Sequence, residues 1–534
     1  MSQATCPRRA LRLAAASVGM IALGGLGLSA LTAAPQPDPL GEKTGGDTTV
    51  YATGRNAFSF PAANLPDDER TRFVIGNSFF RRNWVEAPAS TKARDGLGPH
   101  FIARSCGGCH VQDGRGEPPA IFNRLGETRD PTVALLIRLS IPGTDAHGGP
   151  KHEPTYGDQF NNAAIQGVKP EGRVTLRYDT IQGKFADGTP YALQKPVYGF
   201  ADLGYGPMHP DVMLSPRIAP QIIGVGLLEA IAEADILANA ADQAAAPGPI
   251  KGTPNLVWDA PSGRMMLGRF GWKANVATIA HQTGGAFLGD MGITSRHFAN
   301  EACTPAQKDC LAAPSGKSAA AQGQPGVEID DKTLDDVIFY QATLAPPARR
   351  NPQDAQVLRG QALFAQAQCA TCHRPSYVTQ GGPFPHLTSK ALNGQRIWPY
   401  TDLLLHDMGE RLADGRPDFG ANGRQWKTPP LWGTGLIKDV NGHTRLLHDG
   451  RAPAALARAR NRDDHVVPLG LEGVVERLEV AGETVVVGQD DVEGEGRAHA
   501  HGQGNGGGEA EFHGWNPGVA KKDAPAGGAN VDRR

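Results

Sequence analysis

The chain has 534 residues, 40% of them hydrophobic and 20% charged, with a formal net charge of −2. Its 68 Gly and 42 Pro argue against a long coiled coil and for a loop-rich globular protein of short elements. A charge so near zero gives no electrostatic basis for a nucleic-acid or anionic-membrane partner, and the length suits roughly two to four domains.

At the N-terminus, Arg8, Arg9 and Arg12 precede an apolar run from Leu13 that ends in small residues at Ala33 and Ala34, before Pro35. This order of basic, apolar and small residues predicts a secretory signal cleaved near Ala33. A retained anchor is the alternative, since the run approaches spanning length. No later stretch comes close, so the mature chain is expected in the periplasm without a stable membrane span.

From Ser90 a turn-rich stretch leads into "SCGGCH" at 105–110, and a helix is expected to present this motif. Segment 111–216 reads as irregular and rich in Gly and Pro, with one β-hairpin in "RVTLRYDTIQGKFADGTPYAL". Apolar periodicity predicts a helix in "APQIIGVGLLEAIAEADILANAADQ". The loop "EACTPAQKDC" carries Cys303 and Cys310, expected to form a disulfide in an oxidising compartment, with two free thiols as the alternative. An amphipathic helix is predicted from 331, ended by "APPARRNP" as a domain boundary. A further helix leads into "CATCH" at 369–373. The stretch "VVERLEVAGETVVVG" is β-like, and 489–534 is Gly-, charge- and His-rich low complexity, expected to be disordered.

Cys-x-x-Cys-His is the attachment signature of c-type haem: two thiols add to the porphyrin vinyl groups and the adjacent His binds the iron axially. A thioredoxin-like dithiol needs only one Cys-x-x-Cys, and a four-Cys zinc site leaves two histidines unexplained. Cys106, Cys109 and His110 are therefore assigned to haem 1, and Cys369, Cys372 and His373 to haem 2. Two covalently bound haems on one chain imply electron movement between them.

The strings "DGLGPHFIARSCGGCH", "GRFGWKANVATIAHQTGGAFLGDMGITS", "LLLHDMG" and "WKTPPLWGTGLIKDVNGHTRLLHDG" resemble the bacterial diheme cytochrome c peroxidase superfamily, in its long diheme oxidoreductase branch, over roughly 70–450. The resemblance implies Asp290 as the distal acid near haem 1, Gln282 as a residue that positions bound oxygens, and Trp272 as an electron conduit between the haems. It also implies calcium between two haem domains. Asp290 stands where the family usually has Glu, one methylene longer. The long 111–216 segment offers His147 or His152 as a sixth ligand of haem 1. At the C-terminus Arg462 occupies the place where the family brings a ligand to haem 2, so Met408, His448 and His465 are the candidates there. A tail altered by a shifted reading frame is an alternative account of that departure.

The expected fold is mainly α: two cytochrome c-like haem domains with long loops and a small β insertion. Its parts are a signal at 1–33, an N-terminal haem domain at 34–344, a C-terminal haem domain at 345–454 and an atypical tail at 455–534. The leading functional expectation is an oxidoreductase in which a small redox protein, a cytochrome c or copper protein, reduces haem 2. Electrons then pass to haem 1, where an oxidant such as peroxide is reduced. A pure electron-transfer cytochrome, and haem-dependent oxidation of an organic or protein substrate, are the alternatives.

Overall fold

Local sequence explains where the main helices begin. In a computed structural model describing residues 41–117, 134–184, 188, 190–318 and 326–453, helix α1 spans Asp67–Arg81. Asp67, Asp68 and Glu69 occupy its first turn, where negative charge meets the positive end of the helix dipole. Its buried residues Phe73, Gly76 and Phe80 follow helical spacing and face a second helix, Asp331–Ala342. That helix is the one predicted from residue 331. Its N-cap is Asp330, whose carboxylate accepts from the Thr333 N–H at 2.9 Å. Tyr340 sits at the contact, with its ring centroid 4.8 Å from Phe73 and 5.2 Å from Phe80. Gly76 permits the close approach, because a Cβ there would lie 2.0 Å from the Asp336 carbonyl oxygen.

The mainly α expectation is overturned: 28% of residues are helical and 21% lie in strands, distributed over many small sheets. The difference arises largely in segment 111–216. Strand β1, Leu135–Thr144, pairs antiparallel with β4, Met213–Ile218, in a register running from Leu135↔Ile218 to Ser140↔Met213. Between them, β2 (Arg173–Lys184) and β3 (Pro190–Ala201) form the expected hairpin, a two-stranded ribbon. Leu135, Ile137 and Leu139 of β1 pack with Tyr156, Phe160, Val174 and Ile218 in a core of their own. The β1–β4 pairing joins residues more than seventy positions apart, a relation that local periodicity does not carry.

Two further expectations change in detail. The helix predicted around 219–243 is two helices, Val225–Glu229 and Glu233–Ala245. At the break, the Arg269 guanidinium takes the carbonyls of Leu228 and Ile231 at 3.1 and 2.7 Å. The segment entering the first motif is not a long helix. His100 and Phe101 pair with Ala164 and Ala163, and the motif itself makes a single turn at Cys106–Cys109. Helix Ala355–Gln366 precedes the second motif as expected.

The principal core runs from Ala57 to Val440 and includes side chains preceding and following both motifs. The described residues belong to one compact unit. Among them, no helix is long and apolar enough to cross a membrane. The signal segment, Arg462, His465, the β-like stretch after 473 and the low-complexity tail lie outside the described residues.

Gly76→Ala is expected to destabilise the fold by about 1–3 kcal/mol, because helix Asp331–Ala342 must retreat from α1. The check is the thermal unfolding midpoint followed by circular dichroism.

Candidate functional site

The first motif is clamped from below. The His110 N–H donates to Cys106 O at 2.9 Å, and the Asp113 N–H donates to His110 O at 2.9 Å. Gln112 and Asp113 adopt φ of 53° and 62°, turning the chain so that the Asp113 carboxylate is fully buried. That carboxylate accepts from Tyr340 Oη, an Arg81 guanidinium nitrogen and Ser59 Oγ, each at 2.6 Å. Charge-assisted bonds of this kind are among the stronger ones available to a fold. They tie the loop after His110 to both α1 and Asp331–Ala342.

His110 Nδ1 lies 2.7 Å from Pro220 O. A carbonyl only accepts, so Nδ1 carries the proton and Nε2 keeps its lone pair. The second motif repeats the arrangement. His373 N–H donates to Cys369 O at 2.9 Å, and His373 Nδ1 donates to Tyr400 O at 2.8 Å. Burial lowers the pKa of both imidazoles and favours the neutral, ligating form.

The four motif thiols lie outside any disulfide. Burial, with the Asp290 charge second, pushes Cys106 up to about 12, and the same causes raise Cys109 further. Burial also raises Cys369. Thiols held protonated do not suit a dithiol oxidoreductase, whose attacking cysteine has a lowered pKa. Cys303 and Cys310 are joined by a disulfide with a Cα separation of 5.8 Å.

A cavity of about 2000 Å³ opens at the second motif, with Cys369, Cys372, His373, Trp272, Met408 and His448 in its wall. Both described candidates for a sixth ligand of haem 2 therefore face the same space as His373. Met408 is half-buried. The His448 ring stacks on Trp426 at 3.8 Å and 10°. Burial lowers it to about 4, so it is neutral at physiological pH.

His406, which the sequence reading did not single out, also borders this cavity. Its Nδ1 lies 3.7 Å from Cys372 Sγ, and its Nε2 lies 2.8 Å from an Asp402 carboxylate oxygen. Burial, the largest single effect, opposes its charged form, but the hydrogen bonds and charges of Asp402 and Cys372 together outweigh it and raise it to about 10. The local signal was its place in "LLLHDMG", two residues before Met408.

Trp272 connects the two motifs through short steps. Its ring lines the cavity, and its Nε1–H donates to Ile218 O at 2.9 Å. Ile218 precedes by two residues Pro220, the acceptor of His110. The Arg115 guanidinium lies 5.2 Å from the Trp272 ring centroid, and the Lys427 N–H donates to Trp272 O at 2.8 Å.

Arg115 and Lys427 are themselves informative. Arg115 is 4% exposed, donates to Leu447 O and keeps a buried Nε without a partner among the described residues. Lys427 is 9% exposed, and its ammonium makes no hydrogen bond or ion pair among the described residues. Burial lowers Arg115 to about 10 and Lys427 to about 8. The charges of Asp449 and Asp402 oppose this for Arg115 and Lys427 in turn, but neither cation has a hydrogen-bonded carboxylate among the described residues, and both line the cavity.

Asp290 lies at the other motif. Its carbonyl accepts from Ile102 N and Ala103 N at 2.9 and 3.2 Å, so helix Ile279–Met291 abuts the segment entering "SCGGCH". Burial raises its carboxyl pKa, while Arg138 and Gln159 oppose the rise. Gln282 is on the same helix eight residues earlier, about 12 Å along the axis at 1.5 Å per residue, and its side chain makes no hydrogen bond among the described residues. The structure therefore does not pair Gln282 with Asp290. His147 stacks on Trp258 at 4.0 Å, and exposed His152 acts on the charge of Asp158.

A family model described as "Di-haem oxidoreductase, putative peroxidase" matches residues 40–460. The chain belongs to the di-haem oxidoreductase family. No curated protein and no solved structure matches it. Membership supports two haems and oxidoreductase chemistry. The residues fit those groups: two neutral imidazoles with an available Nε2, a pair of thiols outside any disulfide beside each, and a large cavity whose buried cations suit haem carboxylates. No cluster of three or more His, Cys, Asp or Glu side chains suited to a metal ion occurs among the described residues.

Lys427→Met is expected to lower the midpoint potential of the haem at the second motif, since a nearby cation favours electron uptake. Spectroelectrochemical titration checks it; an unchanged potential would place the ammonium away from the cofactor.

Proposed function

We propose that the chain is an exported peroxidase-type oxidoreductase, taking electrons from a small redox protein at the second motif and reducing hydrogen peroxide at the first. The balance is one peroxide, two electrons and two protons to two waters. The observation that carries the reading is the duplicated histidine arrangement, with Trp272 bonded to the strand that leads to His110's acceptor.

In this reading Cys106, Cys109, Cys369 and Cys372 would anchor the haems as thioethers, and His110 and His373 would hold the iron through Nε2. Haem held at these places would supply redox-active iron for the reduction of peroxide. The chain supplies the rest. Asp290 presents a carboxyl group beside Cys106 and Cys109 whose raised pKa suits it to move a proton from one peroxide oxygen to the other. Trp272, held by its indole hydrogen bond and flanked by Arg115, provides an aromatic bridge of fixed orientation. Met408 and His448 are the candidate sixth ligands at the second motif. Export to the periplasm rests on the signal-like N-terminus and is supported by the Cys303–Cys310 disulfide, a bond that persists in oxidising compartments.

His373→Gly is expected to abolish peroxide turnover driven by a reduced donor while leaving one haem attached at the first motif. Steady-state donor oxidation and haem counting check it, and retained donor-driven turnover would remove the two-haem relay. Electron paramagnetic resonance of the resting protein should show a high-spin ferric signal from an open site. Two low-spin signals in every redox state would instead assign the chain to electron transfer alone.

A further inference from the structure

We propose that Gln159 is the positioning residue for Asp290, holding one carboxylate oxygen so that the other is presented for proton transfer at the first motif. The proposal rests on the reading of Asp290 as the proton-moving acid and adds a partner from a different part of the chain.

The delivery of Gln159 is a matter of strand pairing. Leu139 N–H donates to Asp158 O at 2.7 Å, Phe160 N–H donates to Ile137 O at 3.0 Å, and Arg138 bridges to Gln159. Residues opposite one another on an antiparallel pair share a face, so Arg138 and Gln159 emerge together. The Arg138 guanidinium is bound to Asp158 at 2.8 Å, and its charge acts on Asp290.

The orientation of the Gln159 amide is set by its neighbours. Its Nε2 faces three acceptors: Gly289 O at 2.7 Å, Asp290 Oδ1 at 3.0 Å and Asn161 Oδ1 at 3.5 Å. All three are oxygens, so the donor end belongs there. The residue is 2% exposed, and the opposite end, Oε1, is buried with no hydrogen-bond partner among the described residues. A buried unsatisfied acceptor costs free energy, and a group kept at such a cost calls for an account. Here the amide gives up its acceptor end to spend both N–H groups on Gly289 and Asp290, the C-terminal turn of the helix that carries the acid.

The consequence for Asp290 is asymmetry. Oδ1 is occupied, whereas Oδ2 makes no hydrogen bond among the described residues. The terminal torsion of a carboxylate is broad and roughly two-fold; one fixed oxygen defines where the other lies. Asp290 is also a methylene shorter than glutamate, so it has less freedom to reach and depends more on where it is held.

The test uses holoprotein carrying Gln159→Leu or Gln159→Asn, with haem counting to show that both motifs are loaded. Gln159→Leu is expected to lower kcat/KM for hydrogen peroxide by roughly tenfold or more, without changing reduction of the second-motif haem by its donor. Gln159→Asn, which keeps an amide of shorter reach, should recover part of the loss. Infrared difference spectra give a readout that does not need turnover. The protonated-carboxyl band that disappears in Asp290→Asn should persist to higher pH in Gln159→Leu, because the Gln159 N–H favours the carboxylate. The other groups acting on Asp290 are Arg138, Asp158 and the two motif cysteines, the last silent once they are thioethers. Wild-type kinetics together with an unmoved band in both variants would overturn the proposal. If wild-type holoprotein consumes no peroxide, the functional reading fails by itself, and the infrared measurement still decides whether Gln159 governs Asp290.

Discussion

The arrangement on which the rest of this structure depends is small: an imidazole Nδ1–H held by a backbone carbonyl, made twice. Pro220 O serves His110 and Tyr400 O serves His373. Neither acceptor belongs to its motif. Pro220 follows β4, and Tyr400 has a left-handed backbone with φ of 52°. A five-residue motif fixes the thiols and the ring in sequence, but only the surrounding fold decides which ring nitrogen is left for a metal. Long-range packing is therefore a condition of the chemistry at both places.

That dependence explains what could be read from the chain and what could not. The two Cys-x-x-Cys-His strings, the ribbon of β2 and β3, and helices Asp331–Ala342 and Ala355–Gln366 all have local signatures. Their spacing, alternation or capping is contained within a few residues. Arg138, Asp158 and Gln159 have none. They reach Asp290 because β1 pairs with the segment at 158–160, and nothing in "LLIRLSIPGT" names that partner. Lys427 and Arg115 are equally silent, since an ordinary Lys or Arg in sequence becomes notable only when found buried. The mainly α expectation failed for the same reason. Short strands gain their stability from distant cross-strand contacts, which periodicity within a segment does not reveal.

Buried polar groups around the motifs differ in how fully they are satisfied. Asp113 has three donors and anchors the first motif, and Asp402 serves His406 and Gln243 beside the second. Lys273, fully buried, is satisfied by Asp414 and two carbonyls. These groups are fully engaged, as structural polar groups in a protein interior are. Gln159 Oε1, Asp290 Oδ2, Arg115 Nε and the Lys427 ammonium are not. Each of these lies next to a motif, next to Trp272 or in the cavity wall.

The ribbon of β2 and β3 has a further role. Two paired strands alone are marginally stable in water, and most of β2 is exposed. Its footing is Tyr198 and Phe200 against the β1 core, while Ile181, Lys195 and Val197 look into the cavity. Whatever fills that space supplies the second wall against which the strands pack, so binding and ordering draw on one free energy. The ribbon is thereby the segment whose amide protection against solvent exchange registers occupancy of the cavity beneath it.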